Sequence, residues 1–180
     1  MEGDAGLLLL RAVVGGLLAG HGAQKLFGWF GGFGLRGTGE YLAGLGFRPG
    51  GSFALLAGLA EGSGGLLLAL GLLTPLAAAV LSGTMLVVAV AGHGSRGLKG
   101  VWNADGGYEY PLVLGIIATA LGFTGPGAYS LDVALDLGRV AVAWGLPALP
   151  PWVIVLGGLA GGVLALLSRV PASRTYGATS

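Results

Sequence analysis

The sequence predicts an all-α, polytopic membrane protein with four or five spans, and three observations carry that reading. Hydrophobic residues fill 54% of the 180 positions and formal charges only 9%, against about 25% charged in a soluble domain; mean hydropathy is +0.83. The apolar residues are gathered into runs near the ~20 residues that a hydrocarbon core demands. Glycine, at 39 positions, lies inside those runs without a three-residue period, which excludes collagen and a polar linker. Its use is close helix packing, through Gly16-x-x-x-Gly20, Gly58-x-x-x-Gly62 and Gly158-x-x-x-Gly162.

Taken in order, residues 5–26 and 53–73 are long enough to span outright. Thr74-Pro75 makes a tight reversal, because proline loses nothing in the first turn of a helix, where its missing N–H would have no partner. A third span runs over 75–91. The segment 110–123 has a length that also suits a re-entrant or core helix, and it is taken as the fourth span. After Gly125-Pro126-Gly127, a helix over 132–144 would put Asp132, Asp136 and Arg139 on one face, as in a helix lying in the membrane interface. Residues 152–167 form the last span.

Glu2 and Asp4 stand where a secretory leader carries lysines, and Arg11 interrupts its apolar stretch, so no cleavage is expected. Lys25, Arg36, Arg48, Arg96, Lys99, Arg169 and Arg174 fall on one side of a five-span chain, and Arg139 alone on the other. The positive-inside rule then gives a multi-pass plasma-membrane protein with its amino terminus outside and its carboxyl terminus in the cytoplasm. The net charge of +1 and the lack of a basic stripe give no reason to expect nucleic acid as a partner. With no cysteine, the chain offers neither a disulfide nor a thiolate ligand.

Ionisable groups in hydrocarbon are costly and are kept where they meet a partner, a ligand or water. His21, Gln24 and Lys25 share one helical face by their spacing of three and four. Glu61, in the second apolar run, reaches a similar depth at 1.5 Å per residue. The third loop opens on the same side, with His93 before it and Asn103, Asp105, Gly106-Gly107, Tyr108, Glu109, Tyr110 and Pro111 closing it. Gly106-Gly107 permits a turn closed to other residues, and Pro111 suits the first turn of a helix. Arg11 stands about 21 Å along the helix from Lys25, on nearly the same face, and is expected to extend a polar path inward.

Each group also has a structural explanation. Lys25 lies within reach of the interface by snorkelling, His21 is of a type that packs between helices, and Glu61 is explained by a salt bridge to Lys25 or Arg11. Tyr108 and Tyr110, with Trp29, Phe30 and Phe33 of the first loop, suit an interfacial aromatic belt, and Arg96 and Lys99 are orientation determinants.

Leu8-Leu9-Leu10-Arg11, followed by His21-Gly22-Ala23-Gln24-Lys25-Leu26-Phe27-Gly28-Trp29-Phe30-Gly31-Gly32, resembles the first helix and loop of the DoxX family of small membrane proteins. Three later blocks agree in order: Gly58-Leu59-Ala60-Glu61 with Gly64-Gly65 and Leu70-Gly71-Leu72-Leu73-Thr74, then 103–111, then Gly125-Pro126-Gly127-Ala128-Tyr129-Ser130-Leu131-Asp132. The resemblance covers roughly residues 5–132 and implies a polytopic membrane four-helix bundle, leaving one additional C-terminal transmembrane helix unexplained. The expected division is a DoxX-like domain over 1–132 and, over 133–180, an interfacial segment, fifth transmembrane helix and cytoplasmic tail. Namesakes of the family are subunits of a thiosulfate:quinone oxidoreductase. Position by position, the resemblance points to Arg11, His21, Lys25, Glu61, Asn103, Glu109 and Tyr110.

The expected function is a component of a membrane oxidoreductase system acting on quinone or small sulfur compounds at the polar end of the bundle. His21, Glu61 and Glu109 are the candidate catalytic groups, moving protons, while Arg11, Lys25, Asn103, Tyr108 and Tyr110 hold the ligand. No covalently bound cofactor is expected; quinone is the candidate ligand, and electrons pass directly between substrates or through a partner subunit. Two other classes compete: a non-catalytic scaffold or assembly subunit for partner proteins, and a small-solute transporter, against which no inverted repeat stands out. A metal site from His21, His93 and the carboxylates has no recognisable ligand spacing, and none is expected.

Overall fold

The computed structural model of the chain describes residues 2–93, 100–102, 106–138 and 149–170. Every regular element among them is helical. The first apolar run forms α1 (Glu2–Phe27), closed by Gly28 in the left-handed region at φ 73°. A 3₁₀ turn (Trp29–Gly31) leads to α2 (Gly34–Gly44), and α3 follows over Gly50–Leu70. Next comes α4 (Thr74–Val87), continued by a π-helical turn (Val88–His93). The remaining described helices are α5 (Glu109–Thr124), the single turn α6 (Leu131–Ala134) and α7 (Pro151–Leu167).

Three helical stretches, Gly3–Phe27, Gly50–Leu70 and Thr74–Gly92, are long and apolar enough to cross a membrane; α5 and α7 are shorter apolar helices. The bundle is apolar on the outside too: Leu9, Leu56, Leu66, Ile116 and Leu164 are exposed, as lipid-facing side chains are and as a water-facing surface of this extent would not be. With the family reading, this is an all-α membrane protein.

The boundaries have local causes. The second span ends at Leu70 rather than 73, because Gly71 adopts φ 63° and the chain reverses there. Gly71 N–H donates to Leu68 O (3.0 Å) and Leu72 N–H to Leu67 O (2.9 Å), the paired bonds that satisfy the last carbonyls of a helix. Pro75 sits in the first turn of α4 as expected. The first loop, expected only as an aromatic belt, carries the helix α2 packed on α3; its four glycines mask the apolar periodicity. The expected continuous helix over 132–144 also fails in its described part. It stops at Ala134, and Asp136 at φ 48° turns the chain, so Asp132 and Asp136 share no helical face. Arg139 and the rest of that segment lie outside the described residues, as do Arg96, Lys99 and Arg174.

Val14 and Leu18 of α1, Leu68 of α3, Ala77, Leu81 and Met85 of α4, and Leu114, Ala118 and Leu121 of α5 form one buried core. Glycine brings the backbones together around it, in a register that corrects one expectation. A side chain at Gly22 would meet the backbone at Gly58 and Gly62, and one at Gly15 the backbone at Gly65 and Ala69. The face of α1 against α3 is therefore Gly15/Gly22, seven residues or two turns apart, while Gly16 and Gly20 look outward with nothing within 4 Å. The other two glycine pairs pack as expected. Gly58 and Gly62 meet α1, and Gly158 and Gly162 seat α7 on Ala79 and Gly83 of α4. Antiparallel α1 and α3 thus carry their ends of like depth to the same place.

Candidate functional site

At the end of the bundle where α1 stops, the Gly22 contact brings α1 and α3 close enough for Lys25 Nζ to form an ion pair with Glu61 Oε2. Glu61 is 1% exposed and the Lys25 side chain 25%, so the carboxylate is shut in while the lysine side chain is partly open. Such a pairing lowers the cost of a buried charge, and it is complete only if the remaining lone pairs are also met. They are not: Glu61 Oε1 is buried without a hydrogen-bond partner.

One turn earlier on α1, His21 Nδ1 and Gln24 Oε1 are 2.9 Å apart, and Gln24 Nε2 donates to Phe30 O at 3.3 Å. With its NH₂ used by a carbonyl, Gln24 offers His21 an acceptor. Nδ1 then carries the proton, and Nε2 of the neutral ring is left as an acceptor. Gln24 also ties the 3₁₀ turn back onto α1. Tyr110, in the first turn of α5, meets the His21 ring edge-on with centroids 5.9 Å apart, a favoured aromatic arrangement.

The start of α5 is held by the turn before it. Tyr108 N–H donates to Gly100 O (3.1 Å) and Glu109 N–H to Val101 O (2.8 Å). Gly106 has φ 70°, and Gly107 lies against the carbonyls of Gly100, Val101 and Trp102, where a side chain has no room. Tyr108 and Glu109 are half-buried there. Lys25, Glu61, His21 and Tyr110 are therefore linked across α1, α3 and α5, with Tyr108 and Glu109 on the adjoining turn. Asn103 and Asp105, and the side chain of His93, fall outside the described residues. No group of three His, Cys, Asp or Glu that could hold a metal occurs among the described residues.

Arg11 is not part of this assembly, contrary to the expected inward path. It is fully buried at the other end of the bundle, donates to Tyr129 O, and faces the Asp132 carboxylate. The separation is the helix's own: fourteen residues of rise put Arg11 about 21 Å from Lys25, and neither neighbour of Arg11 comes from the Lys25 end. Asp132 in turn accepts from Leu73 N–H (2.6 Å) and Thr74 N–H (2.9 Å), and its own N–H donates to Gly71 O (2.8 Å). It caps α4 from another loop. The sequence holds a sign of this: Leu73, at the N-cap of α4, has no side-chain acceptor, so one has to come from elsewhere. Asp4 Oδ1 adds a further tie, accepting from Ala128 N–H at 2.9 Å.

An apolar groove of about 480 Å³ lies between Gly16, Gly20 and Ala23 of α1 and Gly62 and Leu66 of α3, with Trp29 and Phe30 in its lining and none of Lys25, His21, Glu61 and Tyr110. The DoxX family model matches residues 6–94, from α1 through the π turn, so Lys25, His21 and Glu61 lie inside the match and Tyr108, Glu109 and Tyr110 beyond it. No curated protein and no solved structure matches the chain.

Proposed function

The chain belongs to the DoxX family, and from that premise we propose that it is a component of a membrane oxidoreductase system, taking quinone or a small sulfur anion at the Lys25 end of the bundle. The observation that carries this is the half-satisfied carboxylate: Glu61 Oε1 is buried, without a protein partner, beside a lysine that is still partly open. The residues suit such a ligand. Lys25 offers donors to an anion or a carbonyl oxygen, and Glu61 Oε1 accepts from a hydroxyl. When bound, a quinone supplies a two-electron, two-proton acceptor.

The chain's part is then binding and proton handling. Glu61 holds or releases a proton at Oε1, and His21 takes or gives one at Nε2, with Tyr110 against its ring. Glu109 stands half-buried on the adjoining turn. With no cysteine, electrons travel directly between substrates or through another subunit. The basic residues Lys25, Arg36, Arg48 and Arg169 support an orientation with this end toward the cytoplasmic leaflet of a plasma membrane and the amino terminus outside.

Organic extraction and mass spectrometry of the detergent-purified protein test the reading. Near-stoichiometric quinone in the wild type, lost by more than tenfold in Glu61→Gln with a melting temperature lowered by no more than about 4 °C, supports it; no quinone in either sinks it. The Lys25–Glu61 pair itself favours a second reading, a structural tie in a non-catalytic assembly subunit. A Lys25→Glu, Glu61→Lys exchange separates the two: restored folding and partner capture as the sole phenotype speak for the tie.

A further inference from the structure

A second groove, of about 290 Å³, opens on the opposite side of α3, where α3, α4 and α7 leave a channel with Phe47 in its lining. Its walls are Ala57 and Ala60 of α3, Gly83 of α4, and Gly158, Gly161 and Ala165 of α7. The one hydroxyl in its lining, Thr84 Oγ1, is spent on Val80 O at 2.8 Å. The channel therefore recognises nothing polar along its length, and its occupant there is a hydrocarbon chain.

Its mouth is different. Arg169 stands four residues beyond Ala165 of the lining, just past the end of α7, and its guanidinium is 5.8 Å from the centre of the ring of Phe47, another lining residue. Two contacts fix it. Nε donates to Leu166 O at 3.1 Å, and the next residue, Val170, donates its N–H to Gly46 O at 2.9 Å, fastening the end of α7 to the turn before α3. With Nε engaged, the terminal NH₂ groups remain as donors at the mouth. Arg48, beside Phe47, is exposed at the same end. An apolar channel with a fixed arginine at its end is complementary to an anionic amphiphile.

We propose that the α3–α4–α7 groove is a binding site for an anionic phospholipid, one acyl chain lying against Ala57, Gly83 and Gly161 and the phosphate meeting Arg169. This is independent of the quinone reading, which concerns the other face of α3. Basic groups at a membrane surface each contribute about 1 kcal/mol toward anionic lipid, equivalent to about fivefold in affinity. α7 supplies the channel's third wall and the residues just after it the arginine, all beyond the stretch matched by the family model.

Gly161 makes the site testable without unfolding the chain, since a side chain there has nothing within 4 Å to collide with and projects beside the channel. The purified full-length protein is equilibrated with mixed phosphatidylglycerol and phosphatidylcholine vesicles, re-extracted, and its retained lipid counted by native mass spectrometry. The expected result is one retained phosphatidylglycerol, preferred about fivefold or more over phosphatidylcholine. Arg169→Gln should abolish the preference, Gly161→Leu should lose the bound lipid of either kind, and Arg36→Gln, an exposed arginine of α2, should change neither. Equal retention of the two lipids by the wild type, unchanged retention in Gly161→Leu, or a quinone released by Gly161→Leu would each overturn the proposal.

Discussion

The two ends of α1 each carry a cation facing an acid from another part of the chain, Arg11 buried and Lys25 half-buried, and they use it differently. At the Arg11 end the acid is fully employed: both Asp132 oxygens receive backbone N–H groups of the α3–α4 turn, and the guanidinium holds Tyr129 O. Arg11 Nε and Nη1 keep no protein partner, yet Nη1 is pressed against Gly71, so the surroundings leave no room for a ligand. At the Lys25 end the acid keeps one oxygen free and the lysine side chain is partly open. Charge inside a membrane marks a structural knot when its partners are backbone groups drawn from several loops. It marks a candidate site when an acceptor is left unmet next to titratable neighbours.

The largest effect that would test this contrast belongs to Asp132. Asp132→Ala removes the cap of α4 and leaves Arg11 uncompensated, a loss of about 3–5 kcal/mol. Thermal unfolding in detergent should show a midpoint lower by roughly 10 °C or more; a change smaller than that from Glu61→Gln would reverse the comparison. Gly22→Ala comes next, because its methyl runs into the backbone of Gly62 and pushes α1 from α3, costing about 1–3 kcal/mol as overpacking does. The same melting assay measures it, and an unchanged midpoint would deny that Gly22 sets the Lys25–Glu61 approach.

Glu61→Gln should cost less, about 1 kcal/mol, because the amide still accepts a hydrogen bond and the partly open lysine reaches water. Its mark is functional, in the ligand retention described above, so a collapse of folding instead would make this end a second knot. The smallest effect is that of Gly16→Ala, on the outward face of α1: no loss, or a gain of up to about 1 kcal/mol from helix propensity. A clear loss of stability would show that the outward face is packed against something after all.

Much of this arrangement was legible from depth and spacing. Lys25 and Glu61 fall at one level because rise per residue is constant, and Pro75 and the apolar runs mark α4, α5 and α7 within a few residues. The rest was hidden for identifiable reasons. In α1 glycines occupy positions 3, 6, 15, 16, 20 and 22, on several faces of the helix, so composition could not say which pair meets α3. α2 went unseen because Gly34, Gly37, Gly39 and Gly44 dilute its apolar face. Arg11 and Asp132 are 121 residues apart in sequence, and only the return of the 125–132 loop to the start of α1 brings them together. Spacing on one helix places a charge at a depth; which loop arrives there is a matter of tertiary packing.

The seat of α7 on Ala79 and Gly83 has a consequence for how the protein is made. A chain is threaded into the bilayer from its amino terminus, so α4 enters with that flat, side-chain-poor strip bare and stays so until residues 151–167 have been synthesised. For that interval the half-built bundle offers neighbouring lipids and insertion factors a surface that the finished one does not possess. The clasp of Val170 on Gly46 joins the residues after α7 to the turn before α3, so it too forms only once α7 has been made.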